Sequence, residues 1–213
     1  MTHLQQLKNA KVVPVIRKAK QDQIVNIAKS LQNGGIKAIE ITAETPGCAT
    51  MITQVKQECK EEFLVGAGTV LDGETAIQMI AAGADFIVAP TLNVETIRAA
   101  NRYGKVCIPG AFTPTEILTA YEYGADMVKV FPASTMGPEF IKSIKGPLPQ
   151  VSIMATGGIH LSNMKEFLES GAEVVGIGSQ LVSASNLNSE KDYKRLEELA
   201  NEYVDQVSVM ENL

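Results

Sequence analysis

Lys129 and Glu40 are the residues of this sequence whose type and setting point most directly to chemistry. Each stands alone in an apolar run, Met127-Val-Lys-Val-Phe131 and Ala38-Ile-Glu-Ile-Thr42. In an extended chain successive side chains point to opposite faces, so Lys129 opposes Val128 and Val130, and Glu40 opposes Ile39 and Ile41. With the valines and isoleucines against a helix layer, the lysine and the glutamate point to the other side of the sheet. An ammonium in such a place is disfavoured unless paired. A free amine attacks a carbonyl carbon to form a Schiff base. A carboxylate within reach of that imine can take and return protons. A structural ion pair inside the sheet is the competing account of the same two residues.

Glycines carry a second set of signals. Thr156-Gly157-Gly158 and Gly178-Ser179 each follow a β-branched run. Glycine lets the backbone approach a ligand, and exposed N–H groups hold an anion, so the two segments are candidates for binding phosphate. Tight turns alone are the other reading. Arg17 offers a fork that matches a carboxylate or a phosphate bidentately. Thr69 can donate to a carboxylate, Thr156 reads equally as a loop hydroxyl, and Pro90 and Phe131 serve an apolar wall or the core. His160 reads as polarity at a helix entry.

These residues need elements to position them, and the chain supplies a regular beat. Short runs rich in Val and Ile recur at Val12–Ile16, Ala38–Thr42, Phe63–Val65, Phe86–Ala89, Val106–Ile108, Met127–Phe131, Ser152–Ala155 and Val174–Ile177. Each is too short for a helix and reads as a buried strand. Between them lie helical stripes: Ile24, Ile27, Ala28 and Leu31 in one, Ile77, Ile80 and Ala81 in another. Helical segments end at Gly34-Gly35, Gly83, Gly104, Gly124 and Gly171. A phrase Gly-Ala-Asp or Gly-Ala-Glu then leads into the next strand, a weak internal repeat. Thr45-Pro46, Thr113-Pro-Thr-Glu116 and Leu161-Ser162 read as helix starts.

Eight strands alternating with helices, without a linker, predict an α/β fold: one (β/α)8 TIM barrel over residues 1–213, preceded by a short N-terminal helix. Active sites of such barrels form at the C-terminal ends of the strands, where every residue singled out above lies, with phosphate at the last two strands. An open dinucleotide-binding sheet fits less well. Gly66-Ala-Gly68 and Gly176-Ile-Gly178 begin its glycine fingerprint, but Leu71 and Leu181 stand in place of the third glycine.

Composition narrows the partners. Of 213 residues 45% are hydrophobic, which excludes a disordered chain. A formal charge of −5 argues against nucleic acid and anionic membranes as partners. No apolar run reaches the roughly 18 residues that span a bilayer, and the first ten residues do not read as a signal peptide. Three cysteines without paired spacing fit a reducing, cytoplasmic setting. Two histidines are too few for a histidine-rich metal site, and no metal is predicted.

Taken in order, Val12-Val-Pro-Val-Ile16, Ile39-Glu-Ile-Thr42, Val65-Gly-Ala-Gly-Thr-Val70, Lys129-Val-Phe-Pro-Ala133, Thr156-Gly-Gly-Ile159 and Gly178-Ser179 resemble the bacterial 2-keto-3-deoxy-6-phosphogluconate (KDPG) and 4-hydroxy-2-oxoglutarate (KHG) aldolases over nearly the whole chain. The resemblance implies a class I carbon–carbon lyase that cleaves a 2-keto-3-deoxy sugar acid phosphate to pyruvate and glyceraldehyde 3-phosphate. It places the Schiff-base lysine on Lys129 and the acid/base glutamate on Glu40. The pyruvyl-carboxylate threonine falls on Thr69, the substrate-lining residues on Pro90 and Phe131, and Thr156 beside the reacting centre. The phosphate loops fall on Gly157, Gly158, Gly178 and Ser179. It further implies a homotrimer without metal or organic cofactor. One departure stands out: where well-known members read Glu-Val-Thr-Leu-Arg-Thr, this chain reads Glu40-Ile-Thr-Ala-Glu44-Thr45, and Arg17 is the remaining arginine for the substrate carboxylate. Gln180, where some members carry tryptophan, is a second departure. A decarboxylase-type barrel would need acids around its lysine, and Val128, Val130 and Ala133 stand there instead. A barrel that only senses a sugar phosphate would not need an imine-forming amine.

Overall fold

The computed structural model describes residues 1–211. The chain opens with helix α1 (His3–Ala10), capped by the Thr2 side chain, and enters strand β1 (Val12–Ile16). Then come α2 (Ile24–Asn33), β2 (Ala38–Thr42), α3 (Cys48–Glu58), β3 (Leu64–Gly68), α4 (Gly73–Ala81), β4 (Phe86–Val88) and α5 (Val94–Arg102). The second half runs β5 (Val106–Ile108), β6 (Gly110–Ala111), α6 (Pro114–Glu122), β7 (Val128–Val130), α7 (Ala133–Met136), α8 (Pro138–Lys145), β8 (Ile153–Thr156), α9 (Met164–Glu169), β9 (Val174–Ile177) and α10 (Glu190–Glu211). All strand pairs are parallel, in the order β5-β4-β3-β2-β1-β9-β8-β7-β6.

The expected eight strands therefore appear as nine pieces, and the correction has a simple cause. β5 and β6 stand at opposite ends of the strand order but are separated in the chain by Pro109 alone. Proline has no N–H to give a ladder. β5 pairs with β4, β6 pairs with β7, and the Pro109 carbonyl accepts from Lys129 N–H at 2.8 Å. One bent strand thus joins the ends of the sheet and nearly closes a TIM-barrel-like ring with helices outside.

Alternation along the strands splits the core in two. Ile39, Ile41, Val65, Ile87, Val128, Val130 and Ile153 face the helices in one cluster. Val13, Ala38, Leu64, Phe86, Val88, Met127, Met154 and Val174 fill the barrel interior in another, which Leu7 of α1 joins from the end where the strands begin. The α2 stripe is buried as expected. The α4 stripe is not: Ile77 is exposed, Ala81 too, and the buried face is Gly73, Ala76 and Met79. Gly73 lies against the Glu95 backbone of α5, and this close approach rotates the smaller residues inward.

The recurring Gly-Ala-acid phrase has a structural meaning. Asp85 accepts from Val65 N–H at 2.8 Å, Asp126 from Cys107 N–H at 2.9 Å, and Glu173 from Ile153 N–H at 2.6 Å. Each acid latches the start of its own strand to the preceding one. Lys56 pairs with Asp85 at 2.8 Å, and Lys145 with Glu173 at 3.3 Å. At the opposite end of α6 from its strand-facing exit, the expected helix start at Thr113 is a full capping box with Glu116. No helix among the described residues is long and apolar enough to cross a membrane.

Candidate active site

β2 and β7 deliver Glu40 and Lys129 to the barrel interior, as strand parity requires. Glu40 is fully buried and Lys129 is 2% exposed. Lys129 Nζ lies 3.9 Å from Glu40 Oε1, close enough for strong attraction and too far for a hydrogen bond. Among the described residues no donor meets either Glu40 carboxylate oxygen, and the buried Thr156 hydroxyl is likewise without a partner. A buried polar group left so is costly, which makes these atoms candidates to meet a ligand, although Gln6, Gln54, Thr96 and Gln206 elsewhere also carry an unpartnered side-chain atom. Lys129 Nζ also sits 5.3 Å from the centre of the Phe131 ring, whose peptide bond to Pro132 is cis.

Small residues open the space around these groups. A β-carbon at Gly68 of β3 would fall inside the Glu40 carboxylate, and one at Gly66 inside the Phe86 ring. At Gly176 of β9 it would meet Thr156 Oγ1 and Met154. The sequence showed these glycines only as an incomplete fingerprint. Their role depends on register, which sets Glu40 opposite Gly66 and Thr156 opposite Gly176.

The expected ligand-binding residues surround the same end. Thr69, directly after β3, has φ +55°, a left-handed backbone that a β-branched residue adopts only under constraint. Pro90 and Phe131, beyond β4 and β7, are half-buried. Gly157 and Gly158 follow β8 with φ of +95° and +72°, and a side chain at Gly157 would press on Phe131 and Pro132. Gly178 and Ser179 follow the neighbouring β9, with Ser179 exposed and nothing within 4 Å of a β-carbon at Gly178. His160 lies in the β8–α9 connection, its N–H donating to Asn163 and its Nδ1 in contact with the Ser162 hydroxyl.

Arg17 emerges directly after β1, and there it pairs with Glu44, the acid that departs from the family pattern; the pairing itself is not read from the sequence. Arg17 Nη1 is 3.5 Å from Glu44 Oε1, with both side chains exposed by almost half. The cysteines are outside this chemistry: burial pushes the Cys48 and Cys107 thiols up to about 12, so both stay protonated. Among the described residues no group of three or more His, Cys, Asp or Glu is arranged to hold a metal.

A parallel barrel with a buried amine, a carboxylate without protein donors and glycine-built loops at one end has the architecture of a TIM-barrel-like enzyme. Comparison with known proteins narrows this further. Residues 4–199 match the family model "KDPG and KHG aldolase", and the chain belongs to that aldolase family. It is 34% identical over 211 residues to the 2-dehydro-3-deoxy-phosphogluconate aldolase of Treponema pallidum, covering 99% of this chain and 100% of that one. It is 33% identical over 174 residues to the 2-dehydro-3-deoxy-6-phosphogalactonate aldolase of Escherichia coli K12, covering 81% and 85%. A KDPG aldolase from Legionella pneumophila, solved with pyruvate captured as a covalent carbinolamine, superposes with a TM-score of 0.86 at 28% identity over 94% of this chain and 97% of that one.

Proposed function

We propose that this aldolase cleaves 2-keto-3-deoxy-6-phosphogluconate to pyruvate and glyceraldehyde 3-phosphate through a Schiff base on Lys129, and that it also takes 4-hydroxy-2-oxoglutarate to pyruvate and glyoxylate. The observation that carries this reading is the buried Lys129–Glu40 pair, 3.9 Å apart, with both carboxylate oxygens free of protein donors. Lys129 Nζ attacks the C2 ketone, and loss of water gives an iminium. Glu40 takes the C4 hydroxyl proton, the C3–C4 bond breaks, and its electron pair moves into the iminium to leave an enamine. Glu40 returns a proton to C3, and water releases pyruvate and the free amine. The iminium is the electron sink, so the chemistry needs neither metal nor organic cofactor.

In this reading Arg17 and Thr69 hold the substrate carboxylate, and Thr156 donates beside the reacting carbon. Pro90 and Phe131 line the channel, and the backbone at Gly157, Gly158, Gly178 and Ser179 holds the phosphate. One domain over residues 1–213, working as a homotrimer in the cytoplasm, completes the proposal. The relative that acts on the phosphogalactonate epimer favours one further substrate, and both epimers belong in the assay.

The first experiment is trapping. Pyruvate is common to all these reactions, so protein incubated with pyruvate and borohydride tests the imine without choosing a sugar acid. Peptide mapping is expected to find a reduced pyruvyl adduct on Lys129. Folded protein that gains no adduct there would sink the proposal.

A further inference from the structure

Resting on that reading, we infer that Glu44 sets the affinity of the site for 2-oxo acids by competing with the substrate carboxylate for Arg17. Arg17 directly follows β1 and Glu44 stands two residues beyond β2. β1 and β2 are neighbours with Ile16 opposite Ile41, so both side chains rise from the same end of the barrel as Glu40. The contact between them is single and long, Nη1 to Oε1 at 3.5 Å, and open to water, with side-chain exposures of 49% and 42%. A pair of this kind is weak, while a carboxylate gripping both arms of a guanidinium is much stronger. Glu44 therefore keeps the Arg17 head over the barrel opening yet can be displaced. By holding that guanidinium it raises the substrate concentration needed for occupancy without touching the reacting atoms. Glu44 is a positioning residue that acts through Arg17, and the substrate class it screens is small anionic 2-oxo acids.

The test reads exchange of deuterium from solvent into the pyruvate methyl group by proton NMR, a half-reaction that needs imine and enamine but no aldehyde. Glu44→Gln is expected to lower KM for pyruvate about three- to fivefold with kcat within about twofold of the parent. Arg17→Gln is expected to raise KM about tenfold or more. In the Arg17→Gln background, Glu44→Gln is expected to leave KM unchanged within error, because the guanidinium that Glu44 and the substrate compete for is gone. An unchanged or raised KM in Glu44→Gln would overturn the inference, as would an equal fall in both backgrounds. Exchange by the parent protein with no coupling between the two positions would defeat only this inference. No exchange by the parent would defeat the aldolase mechanism with it.

Discussion

At the end of the barrel where the strands begin, Asp85, Asp126 and Glu173 each accept a backbone N–H of the neighbouring strand, and Lys56 and Lys145 neutralise two of them. At the end where the strands finish, Glu40 and Thr156 are buried, as Asp85 is, while Asp126 and Glu173 are half-buried; Glu40 and Thr156 accept nothing from the described residues. The chemical types are similar and the uses are opposite. Acids at the first end close hydrogen-bond circuits that fix strand order and register. At the second end the Glu40 acid and the Thr156 hydroxyl stand apart from partners, with Gly68 and Gly176 beside them and a lysine kept beyond hydrogen-bonding distance of Glu40. Under the proposed function this contrast is a division of labour between the two ends.

The largest effect that sharpens this contrast comes from replacing the pair together. Lys129→Met with Glu40→Leu removes nucleophile and proton carrier, and activity is expected to fall by at least about 10⁴-fold. The same double change swaps two buried charges for groups of similar volume, which is expected to stabilise by roughly 1–4 kcal/mol. Melting should therefore rise by several degrees while turnover disappears. Lys129→Met alone leaves a buried carboxylate uncompensated and should melt lower than the parent. A double variant that also melts lower would make the pair a brace of the barrel, and the two ends would no longer differ in purpose.

Asp85→Ala probes the other end. Val65 N–H loses its acceptor inside the barrel and Lys56 loses its partner, at a cost of about 2 kcal/mol. For a chain of this length that lowers the melting temperature by about 4–8 °C. Pyruvate exchange measured at 25 °C, well below melting, should keep its kcat and KM. A large loss of kcat in a protein still folded at that temperature would show that the latch reaches the chemistry.

Much of this was legible in the residues themselves, because period two is a local property. Val-Lys-Val and Ile-Glu-Ile assign a face to Lys129 and Glu40 wherever the strand is placed, and the glycine-punctuated beat of apolar runs gives the barrel. What was not legible depends on register or on turn geometry. Gly68 makes room for Glu40 only because β2 and β3 align as they do. The break of the fifth strand at Pro109 needs knowledge of which neighbour each half faces. The α4 face followed its contact with α5 rather than its most apolar residues, so Ile77 was assigned inward and lies outward. Glu44 met Arg17 through a turn whose path no periodicity describes.

The smallest effect is the most discriminating about backbone strain. Thr69, with φ +55° at the finishing end, carries a β-carbon branch in a region that costs a non-glycine residue about 1–3 kcal/mol. Thr69→Gly removes that cost and adds about 0.5–1 kcal/mol of chain entropy to the unfolded state. The difference favours the variant by about 1 kcal/mol, a rise of about 2–4 °C in melting temperature. The hydroxyl proposed to donate to the substrate carboxylate is lost, so KM for pyruvate should climb about tenfold. Lys11, with φ +58° and ψ −40° after α1 at the beginning end, supplies a positive-φ control. Lys11→Gly relieves a positive φ of similar size with no branched side chain, so its melting temperature should also rise and KM should stay put. A Thr69→Gly protein that melts higher and binds pyruvate worse, beside a Lys11→Gly protein unchanged in KM, would show strain retained at one end for the sake of a hydroxyl. Equal KM values in the two would mean that the left-handed turn after β3 serves only to steer the chain into α4.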